Sequence, residues 1–186
     1  SEKYLKIRNT ARYILGNLAG FDPCKDMVPV EQMPELDRWA LSRLNALVER
    51  CINAYEKYEF FGVTAAVHSF CVVDMSNFYL DVIKDRLYCD AENSLSRRSA
   101  QTAIYIILDH LMRLLAPLLA FTSNEVWQDM PHDSSADKRH VMLNDMPKVE
   151  EAWKLNAEES VRWANLMALR DDVNKALELA RAEKIV

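Results

Sequence analysis

The chain has 186 residues and a formal charge of −5 at pH 7, with 50% hydrophobic and 27% charged residues. That length and balance suit one soluble domain with a core of real size, and the acidic total excludes binding of nucleic acid through overall charge: any such site must be a segregated basic face. Only three glycines, Gly16, Gly20 and Gly62, are present, which argues against Gly-rich phosphate loops and hairpin-rich folds.

Apolar residues Tyr4, Ile7, Ala11, Ile14, Leu15 and Leu18 recur at three- and four-residue steps, the stripe of a first helix over Glu2–Leu18. Gly20 and Pro23 should stop it, and an irregular connector runs from Phe21 to Pro34. A second helix opens at Pro34-Glu35-Leu36-Asp37 and carries a stripe to Tyr55. Gly62 marks the break into a third, expected to run unbroken to about Tyr88. Cys89–Ser94 reads as a polar turn with Ser94 as N-cap, and a fourth helix follows from Leu95 to about Ala116, where Pro117 ends it. Its Ile106-Ile107-Leu108 run predicts burial on more than one side. Thr122–Glu125 has the form of a capping box opening a short helix through Trp127. Residues 131–149 are polar and irregular, with an extended piece expected at His140–Leu143. Asn156–Glu159 is a second capping box, starting a long last helix over 156–184. The expectation is an all-α antiparallel bundle of five to six helices, a single domain over 1–186 with its main bundle at 1–130, a connector at 131–155 and the C-terminal helix. The uncapped end at Ile185-Val186 is what a piece of a longer chain would show.

Residues for catalysis are scarce. Cys24, Cys51, Cys71 and Cys89 form no CxxC pair, so finger or ribbon zinc geometry is not supported, and reduced thiols in a cytoplasmic protein are the expectation. His68 and His110 lie in apolar helical stretches, His132 and His140 in the irregular segment, and no metal-ligand spacing links them. No 18-residue apolar run or signal peptide appears. Asp74 interrupts an apolar run and should be bound by a helix-facing arginine or a hydroxyl, because an unpaired buried carboxylate costs several kcal/mol.

The first helix is the informative element. Between Lys3 and Ala19 it holds Lys3, Lys6, Arg8 and Arg12 and no acid. Cations crowding its N-terminal half oppose the helix dipole, so something outside the helix should neutralise them. Acids on neighbouring helices such as Asp37 or Asp109 could do so. A phosphate backbone could do so equally, with Asn9 and Tyr13 hydrogen-bonding sugar or base. A second basic group, Lys84, Arg86, Arg97, Arg98 and Gln101, is interleaved with Asp85, Asp90 and Glu92, as in a solvated salt-bridge network.

Three stretches carry a family resemblance. KIRNTARYILGNL (Lys6–Leu18), LDRWALSRLN (Leu36–Asn45) and FCVVDMSNFYLDVIKDRLYCD (Phe70–Asp90), the last followed by RRSAQT (Arg97–Thr102) and LAPLLAFTSNEVW (Leu115–Trp127), resemble bacterial-type isoleucyl-tRNA synthetases in order and spacing. The D-R-W-x-L-S-R-L pattern of the second stretch is shared with the valyl and leucyl enzymes, so Arg38, Trp39 and Arg43 read as packing and ion pairing, with Trp39 in the core. The resemblance implies the helical anticodon-binding domain of a class Ia synthetase, without catalytic residues of its own. It implies tRNA(Ile) as partner, no DNA or membrane, and contact with the catalytic and C-terminal domains of the same parent chain. ATP with Mg and a zinc site belong to that parent outside this chain, and no cofactor or metal is expected within it. It further implies tRNA contacts from Lys6, Arg8, Asn9, Arg12 and Tyr13, with Arg97, Arg98 and Gln101 nearer the loop. The rival expectations are a structural spacer that buttresses the catalytic core and the equivalent domain of a valyl or leucyl enzyme.

Overall fold

The computed structural model describes residues 2–183. Helix α1 (Glu2–Gly16) buries Ile7, Thr10, Ala11 and Ile14, the stripe read from its spacing. The chain leaves it through Gly20, whose φ of +72° is the left-handed conformation a side chain would strain. The connector contains one 3-10 turn, Val30–Gln32, but is far from a solvent loop. Phe21, Val28 and Met33 are buried, and the Val28 N–H donates to the Thr102 hydroxyl at 3.0 Å.

Helix α2 (Glu35–Glu56) follows Pro34 and buries Trp39, Ala40, Leu44, Leu47, Val48 and Cys51. The run after it departs from expectation. Instead of one helix to Tyr88 there are α3 (Phe60–Ser69), a π-helical segment Phe70–Tyr79, a turn α4 (Leu80–Val82) and α5 (Lys84–Cys89). An i→i+5 ladder holds more residues per turn than 3.6, so counting apolar steps of three and four does not reveal it.

Ser94 caps α6 (Leu95–Leu115), its hydroxyl accepting from Arg97 N–H at 3.2 Å. Every residue from Arg98 to Asp109 is buried, so α6 is the central helix that its apolar run predicted. Helix α7 (Ala120–Asp129) begins two residues before Thr122, and no side chain caps it. The expected Thr122 capping box is therefore not formed. Thr122 shares a 3.0 Å hydrogen bond with the Tyr4 hydroxyl instead, a tertiary contact displacing a local one.

Residues 131–155 contain no strand; the piece expected at His140–Leu143 is a 3-10 turn, Val141–Leu143. The segment is tied down by amides. Asn144 donates to the carbonyls of Asp137, His140 and Val141, and Asn45 brackets both backbone groups of Glu150 at 2.7 and 2.9 Å. The described residues fall into two compact units, one up to Lys154 and one from Leu155. The second is essentially α8 (Ala157–Ala182), opened by the Asn156/Glu159 capping box. Lys184 and the Ile185-Val186 end lie outside the described residues. Those described form helices and turns without a strand, an all-α fold.

The first unit is organised around a buried carboxylate. Asp37, in the first turn of α2, is fully buried. It accepts from Arg86 of α5 at 2.9 and 2.6 Å, from the Tyr79 hydroxyl at 2.6 Å and from the Ser99 hydroxyl of α6. Arg86 continues to the Ser96 carbonyl at 2.7 Å. Burial first, then the Asp37 charge, holds the Tyr79 phenol well above its usual range. A second pair does what was expected of Asp74: Arg43 of α2 donates to it at 3.1 and 3.3 Å. Trp39 is 4% exposed and meets Phe78 edge-on at 5.0 Å.

Asp37→Ala leaves the Arg86 guanidinium without its counter-charge, its side chain only 18% exposed. The expected loss in urea unfolding is about 3–5 kcal/mol. Arg43→Ala strips the partner from Asp74, whose side chain is 11% exposed, but removes an arginine that is itself 47% exposed, and should cost less, about 1–3 kcal/mol. Equal losses from the two would contradict the central role of Asp37.

Candidate nucleic-acid interface

At roughly 100° per residue, α1 divides into two arcs. Ile7, Thr10, Ala11 and Ile14 face the bundle, whereas Lys6, Arg8, Asn9 and Arg12 are exposed and Tyr13 is half-buried. Neither acid proposed as their counter-charge reaches them. Asp37 is held by Arg86, and Asp109 by Arg113 at 3.0 Å with His110 at 3.3 Å. Among the described residues, Lys6, Arg8 and Arg12 form no ion pair. Lys3 sits over the Phe61 ring, 5.1 Å from its centroid, a cation–π contact that separates it from the strip.

The Asn9 side chain makes no hydrogen bond among the described residues. Tyr13 shares a 3.1 Å hydrogen bond with the Tyr88 hydroxyl, and burial together with that neighbour pushes its phenol up. The strip thus offers two guanidinium groups, an ammonium and an uncommitted amide on one helix. That is donor chemistry for phosphate and sugar oxygens.

In the second basic group Lys84 stays exposed while Arg98 and Gln101 are buried, and that burial runs against the tRNA contact expected of Arg98 and Gln101. Arg98 is 8% exposed and donates to Asn93 Oδ1 at 2.7 Å, the Gly20 carbonyl at 3.0 Å and Gln101 Oε1 at 2.9 Å, with Asp26 at 3.6 Å. Gln101 is fully buried and donates to the Asn17 carbonyl. Together they clamp the C-terminal end of α1 onto α6, and neither presents a donor to an outside ligand. Arg97 is half-buried and donates to the carbonyls of Leu87 and Glu92, closing the end of α5. Lys84 pairs with Asp81 at 2.6 Å. The interleaved acids Asp85, Asp90 and Glu92 set this group apart from α1 in the sequence, but not which of its members are buried, because that depends on which helix face meets α1.

Among the described residues, the histidines and cysteines do not converge. No group of three or more His, Cys, Asp or Glu that could hold a metal occurs among the described residues. His132 donates from Nε2 to the Trp127 carbonyl, 2.7 Å away, and lies tilted against the Trp127 ring; burial lowers its pKa. His140 caps the turn after it through Nδ1. All four cysteines are free thiols, with Cys24 and Cys89 exposed. Burial pushes Cys51 up to about 11 and Cys71 up to about 12.

Residues 37–186 match the family model described as the anticodon-binding domain of tRNA ligase. The chain belongs to that family. It is also 52% identical over 184 residues to an isoleucine–tRNA ligase of Caldanaerobacter subterraneus subsp. tengcongensis, and 53% identical over 186 residues to one of Syntrophotalea carbinolica. These alignments cover 99% and 100% of this chain but 20% of each relative, so the chain spans about a fifth of their length. The family match begins at Asp37, the buried carboxylate at the bundle's centre. Helix α1 lies before it, within the part aligned to the ligases. No helix among the described residues is long and apolar enough to cross a membrane.

Arg98→Ala should lower stability by about 1–3 kcal/mol, since it strips partners from buried carbonyl and amide oxygens. It should leave the salt dependence of RNA binding unchanged; a reduced slope would return Arg98 to the interface. Thiol titration should label Cys24 and Cys89 at once, and Cys51 and Cys71 only on unfolding. Rapid labelling of all four would contradict the burial described.

Proposed function

We propose that this domain holds the anticodon stem and loop of tRNA(Ile) for an isoleucine–tRNA ligase, in which other domains of the same polypeptide carry out ATP-dependent aminoacylation. The observation that carries the reading is the α1 strip: Lys6, Arg8 and Arg12 exposed and without acidic partners among the described residues, in a chain of net charge −5. Family membership and whole-chain identity to isoleucine–tRNA ligases support the identity of the RNA. Asn9 and Tyr13 belong to the same contact surface. Cytoplasm is the compartment that fits, and ATP, Mg and zinc act elsewhere in the parent polypeptide.

A spacer that merely buttresses a catalytic core predicts an acid from another helix on each of Arg8 and Arg12, and the described residues supply none. Contacts of lysine and arginine to phosphate release counterions, so RNA affinity should fall as salt rises. Each phosphate contact adds about 0.7–0.9 to the slope of log K against log[salt]. In the full-length protein, Arg8→Ala combined with Arg12→Ala should weaken tRNA binding and reduce that slope by about 1.4–1.8. Unchanged affinity and slope would show that this face does not meet the tRNA.

A further inference from the structure

A groove of about 310 Å³ runs beside the cationic strip, lined by Lys6, Asn9, Thr10 and Tyr13 of α1 and by Ser76, Leu80, Asp81 and Lys84 across from them. Its far wall exists because of the π-helical segment, which ends at Tyr79 and delivers Leu80 and Asp81 opposite α1. Thr10 and Ser76 join the two walls at the floor, their hydroxyls 3.2 Å apart, with Thr10 also bonded to the Lys6 carbonyl. The lining is chemically divided. Lys6 supplies an ammonium and Asn9 an amide, both without partners among the described residues. Leu80 contributes an apolar surface. Asp81 supplies a carboxylate, 65% exposed even while paired with Lys84 at 2.6 Å.

We infer that this groove is a subsite for one nucleotide of RNA, its phosphate on Lys6, its base edge at Asn9 and its ribose 2′-hydroxyl donating to Asp81. The inference rests on the tRNA reading of α1 and deepens it. Size limits the occupant: about 310 Å³ lies at the small end of ligand pockets, which run from roughly 300 to 1,000 Å³. Charge limits it further. A bare anion would meet the Asp81 carboxylate, whereas a nucleotide brings both an anionic end for Lys6 and a hydroxyl donor for Asp81. Lys84, bonded to Asp81 at 2.6 Å, offsets that charge toward the passing backbone. A carboxylate that accepts a 2′-hydroxyl distinguishes RNA from DNA at one position, which contacts from Arg8 and Arg12 to phosphate do not.

The test is a set of anticodon stem-loop RNAs, each with a single 2′-deoxy substitution, bound to the full-length protein. For the unmodified protein, one position should lose about 3- to 10-fold in affinity, as expected for one hydrogen bond. Asp81→Ala should abolish the penalty at that position, whatever it does to overall affinity by releasing Lys84. Arg8→Ala with Arg12→Ala should weaken every RNA alike and leave the penalty in place. If no position carries a penalty that depends on Asp81 while the double arginine variant still weakens binding, the groove assignment is overturned and the α1 interface stands. If neither variant changes binding, both fall.

Discussion

The first unit is held in register by a fully buried carboxylate. Asp37 begins α2 and takes hydrogen bonds from α5, from the end of the π-helical segment and from α6, so four parts of the chain must meet at one point. A charge buried this way is tolerable only when several donors converge on it, and removing any one leaves the others mismatched. Such a pair adds little net stability over an apolar substitute, but it resists sliding of the helices it joins. The Asp74–Arg43 pair repeats the device further along α2. Asp37, Trp39 and Arg43 of α2 are therefore architecture, committed to contacts within the first unit.

This internal accounting decides what the surface can do. Asp37 and Asp109 are the acids best placed by sequence to neutralise α1, and both are committed to arginines within the bundle. Arg98 and Gln101 meanwhile clamp the end of α1 to α6 through the Gly20 and Asn17 carbonyls. The helix is fixed in place by one set of polar contacts while its outer face is left cationic. A rigid element bearing uncompensated charge loses little order when it meets a polyanion, and its attraction extends over about a Debye length.

Much of this was legible in the residues. Helix α1, α2, α6 and the α8 cap follow from apolar period, proline placement and capping chemistry, all local properties. The arginine for Asp74 and the core position of Trp39 followed from the cost of burying charge and from motif context. Three features were not legible. The π-helical segment has no signature in a 3.6-residue pattern, and with it the wall of the nucleotide groove was hidden. Thr122 was given to a cap because the local rule cannot see Tyr4, 118 residues away. Arg98 and Gln101 were read as part of a solvated salt-bridge network and, through the resemblance, as tRNA contacts; the packing of α6 against α1 buries them and leaves Arg8 and Arg12 outside.

The central claim is that the outer face of α1 meets the anticodon arm of the tRNA. Replacing Arg12 with a photoreactive phenylalanine analogue in the full-length protein, then mapping the cross-linked nucleotides on tRNA(Ile), tests it directly. The account predicts adducts confined to the anticodon stem and loop, with yield falling as salt rises. Adducts confined to the acceptor or D arm, or none at low salt with the RNA bound, would contradict it.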